Sequence, residues 1–296
     1  MAPTILVRYG ELALKSPPVR REFERTLGRN LLEPFRLRRI SCRLRADHGH
    51  LYLECPEAAE GLRLARRVFG VTSVSEVVEV SSEKPEIARA LLEMAEAPMK
   101  PGTRFAVRAR RTGRHPFTSQ ELARELGAEV FARWPDRGLV VDLDDPEVEL
   151  SVEVRGPKTY LYRDRCGGPG GLPLGVAGRV VALVDGARGA LGAYLMMKRG
   201  CRCAIVVAGE GEILGRSVLS VFDPSVRIEP DSGSAAAAVR DLLGATHADG
   251  VVLPLTLEEF PSAREAWGDH VLFSPTVGLD DAEVAARWEG VRQLAA

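Results

Sequence analysis

Apolar residues open the chain in a β-branched run, Thr4-Ile5-Leu6-Val7-Arg8, and the spacing then changes from adjacent positions to every fourth one. Val19, Phe23, Leu27 and Leu31 recur at that interval, which predicts a helix with one buried stripe. Ser16 caps it, and Pro17 and Pro18 occupy its first turn, where proline is tolerated. Arg20, Arg21, Arg25 and Arg29 fall largely on the other face. Residues 51–55 read as a second strand and 58–68 as a second helix, so the first seventy residues suggest a small α+β sandwich. A second unit opens near Val71. Residues 87–97 read as helix, and Phe105, Val107 and Ala109 alternate with Ala106, Arg108 and Arg110 as a strand does, which puts Arg108 and Arg110 on one face. Thr118-Ser119-Gln120-Glu121 is a capping box ahead of a helix with the stripe Leu122, Leu126 and Val130. Strands follow at 139–143, 148–154 and 159–162.

The strongest punctuation is Cys166-Gly167-Gly168-Pro169-Gly170-Gly171-Leu172-Pro173, the mark of a domain boundary or a functional loop. Beyond it the pattern predicts a strand at 180–184, a loop Asp185–Gly189, a helix at 190–199 and a strand at 203–207. A helix at 235–243, strands at 250–255 and 270–273, and a closing helix at 280–294 complete it. Alternating strand and helix implies an open parallel sheet. Residues 209–233 show no clear period.

Composition narrows the class. Hydrophobic residues are 45% and charged residues 27% of the 296, which excludes a chain dominated by disorder. No apolar run approaches the roughly 18 residues of a membrane span, and the N-terminus lacks the apolar core of a signal peptide, so the cytoplasm is the expected location and no membrane partner is expected. The five cysteines are odd in number and scattered, so reduced thiols are expected rather than a disulfide framework. Cys201-Arg202-Cys203 has no second pair, and no metal site is expected. Net charge is −1, yet the first fifty residues carry +6, 1–165 carry +4 and 166–296 carry −5. A basic end on a near-neutral protein suggests an anionic partner met by one part of the molecule.

Three features could carry chemistry. The loop after Val184 leads from a strand into a helix N-terminus, which favours anions. Gly186 and Gly189 would let the backbone approach a phosphate and Arg188 would add a charge, although neither standard phosphate-loop pattern is present. Arg108, Arg110, Arg111, Arg114 and His115 form a basic strand and turn able to meet several phosphates, with Phe117 near enough to stack on a base. A solvated face paired with Glu121 and Glu125 fits the same pattern. The close pair His48-Gly49-His50 reads as a surface turn, and no nucleophile motif identifies a catalytic residue.

Four segments converge on one family. They are Arg8-Tyr9-Gly10-Glu11-Leu12-Ala13-Leu14-Lys15 with Arg20/Arg21 and Phe23-Glu24; 105–114 with 119–126, 141–143 and 152–155; Gly168-Pro169-Gly170-Gly171-Leu172-Pro173-Leu174-Gly175; and Ala193-Tyr194-Leu195-Met196-Met197-Lys198-Arg199-Gly200. Together they resemble the tRNA 4-thiouridine sulfurtransferases, which also serve thiamine biosynthesis. The resemblance implies an α/β multidomain protein: a ferredoxin-like α+β domain over 1–70, a THUMP α/β domain over 71–166, a Gly/Pro linker over 167–178, and a Rossmann-like parallel-sheet domain of the PP-loop ATP-pyrophosphatase type over 179–296. In that family the first two domains grip the tRNA acceptor end, the third adenylates a uridine, and a persulfide cysteine delivers sulfur.

The PP-loop pattern is degenerate here. Where the family has Ser-Gly-Gly-x-Asp-Ser, this chain has Val184-Asp185-Gly186-Ala187-Arg188-Gly189, so both hydroxyls are gone and Arg188 replaces an acidic residue. Pro254-Leu255-Thr256 and Ser274-Pro275 depart from the family's Thr-Gly-Glu and Arg-Pro, and the cysteine-bearing segment and a rhodanese domain would lie beyond Ala296. Of the cysteines, Cys166 in the linker is the one expected to be exposed. The expectation is therefore a protein that binds tRNA or a similar structured RNA without ATP-dependent thiolation of its own. Lys15, Arg20, Arg21, Arg108, Arg110, Arg111, Arg114, Arg155 and Lys158 are the expected RNA contacts. Gly186, Arg188 and Gly189 are the nucleotide contacts if the altered loop still takes ATP. The alternatives are an active or partner-assisted sulfurtransferase, with a sulfur-carrier protein as partner, and a non-catalytic scaffold subunit. A homodimer follows from the resemblance.

Overall fold

The computed structural model describes residues 3–10, 16–47, 50–231, 233–268 and 270–296. Residues 11–15, which include Lys15 and make up most of the segment 8–15 that carries the first resemblance, and His48 of the close histidine pair lie outside them. The chain divides into two compact units. The first comprises Met1–Val7, Ser41–Leu62 and Val74–Cys166, and the second comprises Arg8–Ile40, Arg63–Ser73 and Gly167–Ala296.

Up to the linker the elements run β1 (Thr4–Tyr9), α1 (Pro17–Leu37), β2 (Arg43–Asp47), β3 (His50–Glu54), α2 (Ala58–Ala65), β4 (Val71–Ser81), α3 (Lys84–Ala95), β5 (Arg104–Thr112), α4 (Ser119–Arg133), β6 (Val140–Val141), β7 (Val148–Arg155), β8 (Lys158–Tyr162) and β9 (Cys166–Gly167). Their strands form one sheet in the order β2-β3-β1-β4-β8-β7-β5-β6, with β9 beside β4. β5 and β7 are parallel, with Phe105 opposite Val148 and Thr112 opposite Arg155. Leu122, Leu126 and Val130 of α4 are buried as their spacing predicts, against Phe105, Leu150 and Val152 of the sheet and Ile87 and Leu91 of α3. The capping box forms: Glu121 N–H donates to Thr118 Oγ1 (3.1 Å) and Thr118 N–H to Glu121 Oε2 (2.7 Å).

The sequence reading expected no strand at β2, β4, β9 or Arg227–Pro230, and it placed longer ones near Val140 and Gly250. β2 has no apolar alternation because it is the edge strand, where charged residues such as Arg43 and Arg45 blunt further pairing. The strand expected over 139–143 shrinks to Val140–Val141, because the Asp142 carboxylate accepts the N–H groups of Asp144 and Asp145 and turns the chain.

The C-terminal part contains β10 (Arg179–Val184), α5 (Ala187–Lys198), β11 (Arg202–Val207), α6 (Gly211–Leu214), α7 (Ser220–Phe222), β12 (Arg227–Pro230), α8 (Ala235–Thr246), β13 (Gly250–Val252), α9 (Phe260–Trp267), β14 (Leu272–Phe273) and α10 (Asp281–Ala295). The patternless stretch 209–233 is α6 and α7, joined by one wider turn over Gly215–Leu219, and then β12. Every paired strand here is parallel, in the order β12-β11-β10-β13-β14. The order reverses at β10, so the carboxyl ends of β10 and β13 flank the switch point at which such sheets open a crevice. Val180, Ala182 and Val184 pack on α5 and α10 through Leu191, Tyr194 and Trp288. Val181 packs on the opposite side, against Val239 and Leu242 of α8. The Gly/Pro segment is tightly bound within its unit. Leu172 N–H donates to Lys198 O (2.9 Å) and Gly175 N–H to Gly200 O (2.8 Å). Gly171 has φ +74° and approaches Lys198 O so closely that a Cβ would lie 2.1 Å from it, so only glycine fits.

Candidate nucleic-acid interface

β5 pairs with β6 only at Arg104 and Phe105. From Ala106 onward its outer edge has no strand partner among the described residues. A groove of about 920 Å³ runs along this edge, between α4 and the turn after β6. Phe131, Val141 and Leu143 give it an apolar floor and are 39%, 47% and 55% exposed. Arg108, Arg110, Arg124, Arg163 and Arg165 rim it. Exposed apolar surface beside guanidinium groups suits unpaired nucleotides, whose bases stack on the floor while their phosphates meet the rim.

The rim arginines are not equivalent. Arg108 is tied to Glu149 (3.3 Å) and donates to Leu143 O. Arg110, Arg124 and Arg163 make no ion pair among the described residues. Arg110 was expected from sequence; Arg124, Arg163 and Phe131 were not. A signal for two of them was present, since Gln120, Arg124, Ala128 and Phe131 recur at helical spacing on α4, off the buried stripe. Arg111 donates to Gly113 O (3.3 Å), and Arg114 is exposed and without an ion pair among the described residues. Phe117, expected to stack on a base, is 5% exposed and belongs to the core, covered by the His115 ring at 5.6 Å. Phe131 is the aromatic that the groove presents.

Several expected contacts are committed elsewhere. Arg155 is 13% exposed, pairs with Glu153 (2.5 Å) and reaches the His50 ring nitrogens (2.8 Å), while Tyr162 OH donates to Glu153 (2.7 Å). Lys158 pairs with Glu79 (2.5 Å), which also holds Arg45 (2.8 Å). On α1, Arg20 binds Glu24 (2.8 Å), which Tyr9 OH also reaches. Burial and the Glu24 hydrogen bond push the Tyr9 hydroxyl up to about 12. Arg21 is exposed and has no ion pair among the described residues.

The turn after β10 is built differently from the expected loop. α5 begins at Ala187 rather than 190, with Gly186 as its N-cap in extended conformation. Arg188 therefore lies in the first turn of the helix, 14% exposed, and all its contacts are internal. Nη1 donates to Thr276 O and Leu279 O (2.9 Å each), and Nη2 pairs with Asp281 (2.8 Å). Gly189 is buried, and a Cβ there would meet Leu183 O at 2.5 Å, so helix–strand packing accounts for this glycine. Only Gly186 faces open space, beside the exposed Asp185 carboxylate. An anion arriving at this helix N-terminus would meet a like charge from Asp185 and a guanidinium already committed to its own chain. Removing the clamp by Arg188→Ala is expected to cost about 2 kcal/mol, the scale of charge-assisted hydrogen bonds, read as a lowered midpoint in urea unfolding.

Cys201 and Cys203 are 5% exposed, and burial pushes both thiols up, away from the reactive thiolate. Cys166 is half-buried. Among the described residues no three His, Cys, Asp or Glu side chains gather as a metal would require, and no helix is long and apolar enough to cross a membrane.

The family model of the ThiI ferredoxin-like domain matches residues 4–75, and that of the THUMP domain matches residues 81–164. A tRNA sulfurtransferase of Pyrobaculum aerophilum is 37% identical over 217 residues, covering 70% of this chain and 42% of that protein. A Methanobrevibacter smithii protein named "Probable tRNA sulfurtransferase" is 38% identical over 225 residues, covering 74% and 57%. The chain is a relative of the tRNA sulfurtransferases. It spans about half the length of the curated sulfurtransferases it matches. A solved protein from Pyrococcus horikoshii Ot3 aligns with 98% of this chain and 99% of its own at TM-score 0.79 and 25% identity. A 4-thiouridine synthetase, solved as an RNA complex with bound ATP, aligns with 100% of this chain and 86% of its own at TM-score 0.78, and at 20% identity that likeness is one of fold. The ferredoxin-like and THUMP domains and the C-terminal parallel sheet expected from the sequence are thus all present.

Proposed function

We propose that this chain is a tRNA-binding relative of the sulfurtransferases that grips RNA through the β5 groove and the exposed arginines of α1, and that its own β10–α5 turn carries out no ATP-dependent thiolation. The observation that carries the first half is the groove itself, in which Arg110, Arg124 and Arg163, which make no ion pair among the described residues, stand around exposed Phe131, Val141 and Leu143. The relatives' activity supplies tRNA as the class of RNA. The second half is supported by Arg188, whose guanidinium is spent on Thr276, Leu279 and Asp281 where a phosphate ligand would need it. Loss of a free cation and of the loop hydroxyls removes the charge neutralisation on which adenylyl chemistry depends.

Two measurements test the halves separately. Binding to total tRNA is expected to weaken linearly on a log–log plot against salt, as counterion release requires; affinity independent of salt would overturn the RNA reading. ATP–pyrophosphate exchange is expected to stay at background with tRNA present. Exchange above background would establish the catalytic reading in its place.

A further inference from the structure

β2 and β3 form an antiparallel pair in which Arg43 stands opposite Glu54. One step further out, the same progression sets Cys42 opposite Cys55. Directly opposed residues of an antiparallel pair have Cα atoms about 4.5–5.5 Å apart, within the roughly 4.4–6.8 Å that a disulfide bridges. The side chains follow the backbone: both thiols are free, and Cys42 Sγ lies 3.0 Å from Cys55 Sγ. The remaining thiols are placed differently. Cys201 Sγ donates to Ala177 O and Cys203 Sγ to Ala193 O, and Cys166 faces no thiol among the described residues.

We propose that Cys42 and Cys55 are a dithiol site that small disulfides oxidise to an intramolecular cross-strand disulfide. Cys42 is half-buried while Cys55 is 1% exposed, so reaction begins at Cys42. Its thiol gives up a proton, and the sulfur attacks one sulfur of the external disulfide, forming a mixed disulfide and expelling one thiolate. Cys55 then loses its proton and attacks Cys42 Sγ, expelling the second thiolate. Two protein thiols lose two electrons, the external disulfide gains them, and the two protons end on the two expelled thiols. Closure requires sulfur movement of about 1 Å and no change of strand register. The bond would tie the edge strand β2 to β3, the neighbour that holds it in the sheet.

The test uses the full chain equilibrated with oxidised and reduced glutathione, quenched in acid, unfolded and alkylated. As the mixture becomes oxidising, the alkylated thiols are expected to fall by two from five, with the intact mass lower by two hydrogens and one linked peptide joining Cys42 to Cys55. Amide exchange over 43–47 is expected to slow in the oxidised form. Cys42→Ser is expected to keep all its remaining thiols. If that variant does not fold, the linked peptide of the parent decides alone. Five alkylated thiols in fully oxidised glutathione, a stable glutathione adduct on Cys42 without closure, or a bond between other cysteines would each overturn the proposal.

Discussion

Alanine at Arg110, Arg124 and Arg163 together is expected to weaken tRNA binding by about 100-fold near 0.1 M salt while leaving thermal unfolding unchanged. Each of these side chains is exposed and lacks an ion pair among the described residues, so its removal strands no buried partner. What is lost is phosphate neutralisation. Each contact with a single strand contributes about 0.7 to the slope of log affinity against log salt, so the slope should flatten by about 2. Fluorescence anisotropy over a salt series reads both quantities. The informative control is Arg155→Ala, which removes one guanidinium of the same kind from outside that set. Arg155 is spent on Glu153 and His50, so its loss should break a buried ion pair and lower stability by about 3 kcal/mol with little change in salt slope. A triple variant that binds with the parent's slope would move the RNA site off the groove.

Gly211→Ala is expected to be among the most disruptive of small substitutions in the C-terminal unit. A Cβ at Gly211 would lie 1.7 Å from Val184 O and 2.4 Å from the Val184 carbonyl carbon. Both atoms are backbone at the end of the central strand β10, so no side chain can swing aside. Gly189 presses on the same stretch from α5, with its Cβ position 2.5 Å from Leu183 O. The chain at 183–185 thus runs between two close glycine contacts, and α6 must shift away from β10 to admit a methyl group. The cost is set at about 3 kcal/mol, the top of the usual range for overpacking, which corresponds to a fall of roughly 10 °C in Tm. Gly290→Ala serves as the opposite case. Gly290 lies on the exposed side of α10 with nothing within 4 Å of the new Cβ, and alanine there should stabilise by about 0.5–1 kcal/mol through helix propensity. Calorimetry of the two variants with the parent would separate local crowding from a general intolerance of change.

Local pattern carried much of the architecture. The stripe Leu122, Leu126 and Val130 and the Thr118–Glu121 box are settled within one or two turns of helix, and the residues that decide them are neighbours in sequence. The parallel sheet was legible for the same reason, because apolar runs such as Val180–Val184 and Cys203–Val207 are buried on both faces. Edges were harder. β2 reads as polar because it is an edge strand among the described residues, and the strand near Val140 is stopped by a carboxylate that captures two amides.

The candidate site was legible as a set of residue types and not as a set of available charges. From its sequence alone the chain is determined to be a multidomain α/β protein with a basic N-terminal part. Which arginines are free is decided by residues far away in the chain: His50, 105 positions from Arg155, occupies that guanidinium, and Thr276 and Asp281 occupy Arg188. The tertiary structure alone also leaves the outer edge of β5 open beside Phe131. The physical reason is that periodicity reports which face of an element is buried, whereas the pairing of a charge depends on the short range of hydrogen bonds and ion pairs between elements that only the folded chain brings together.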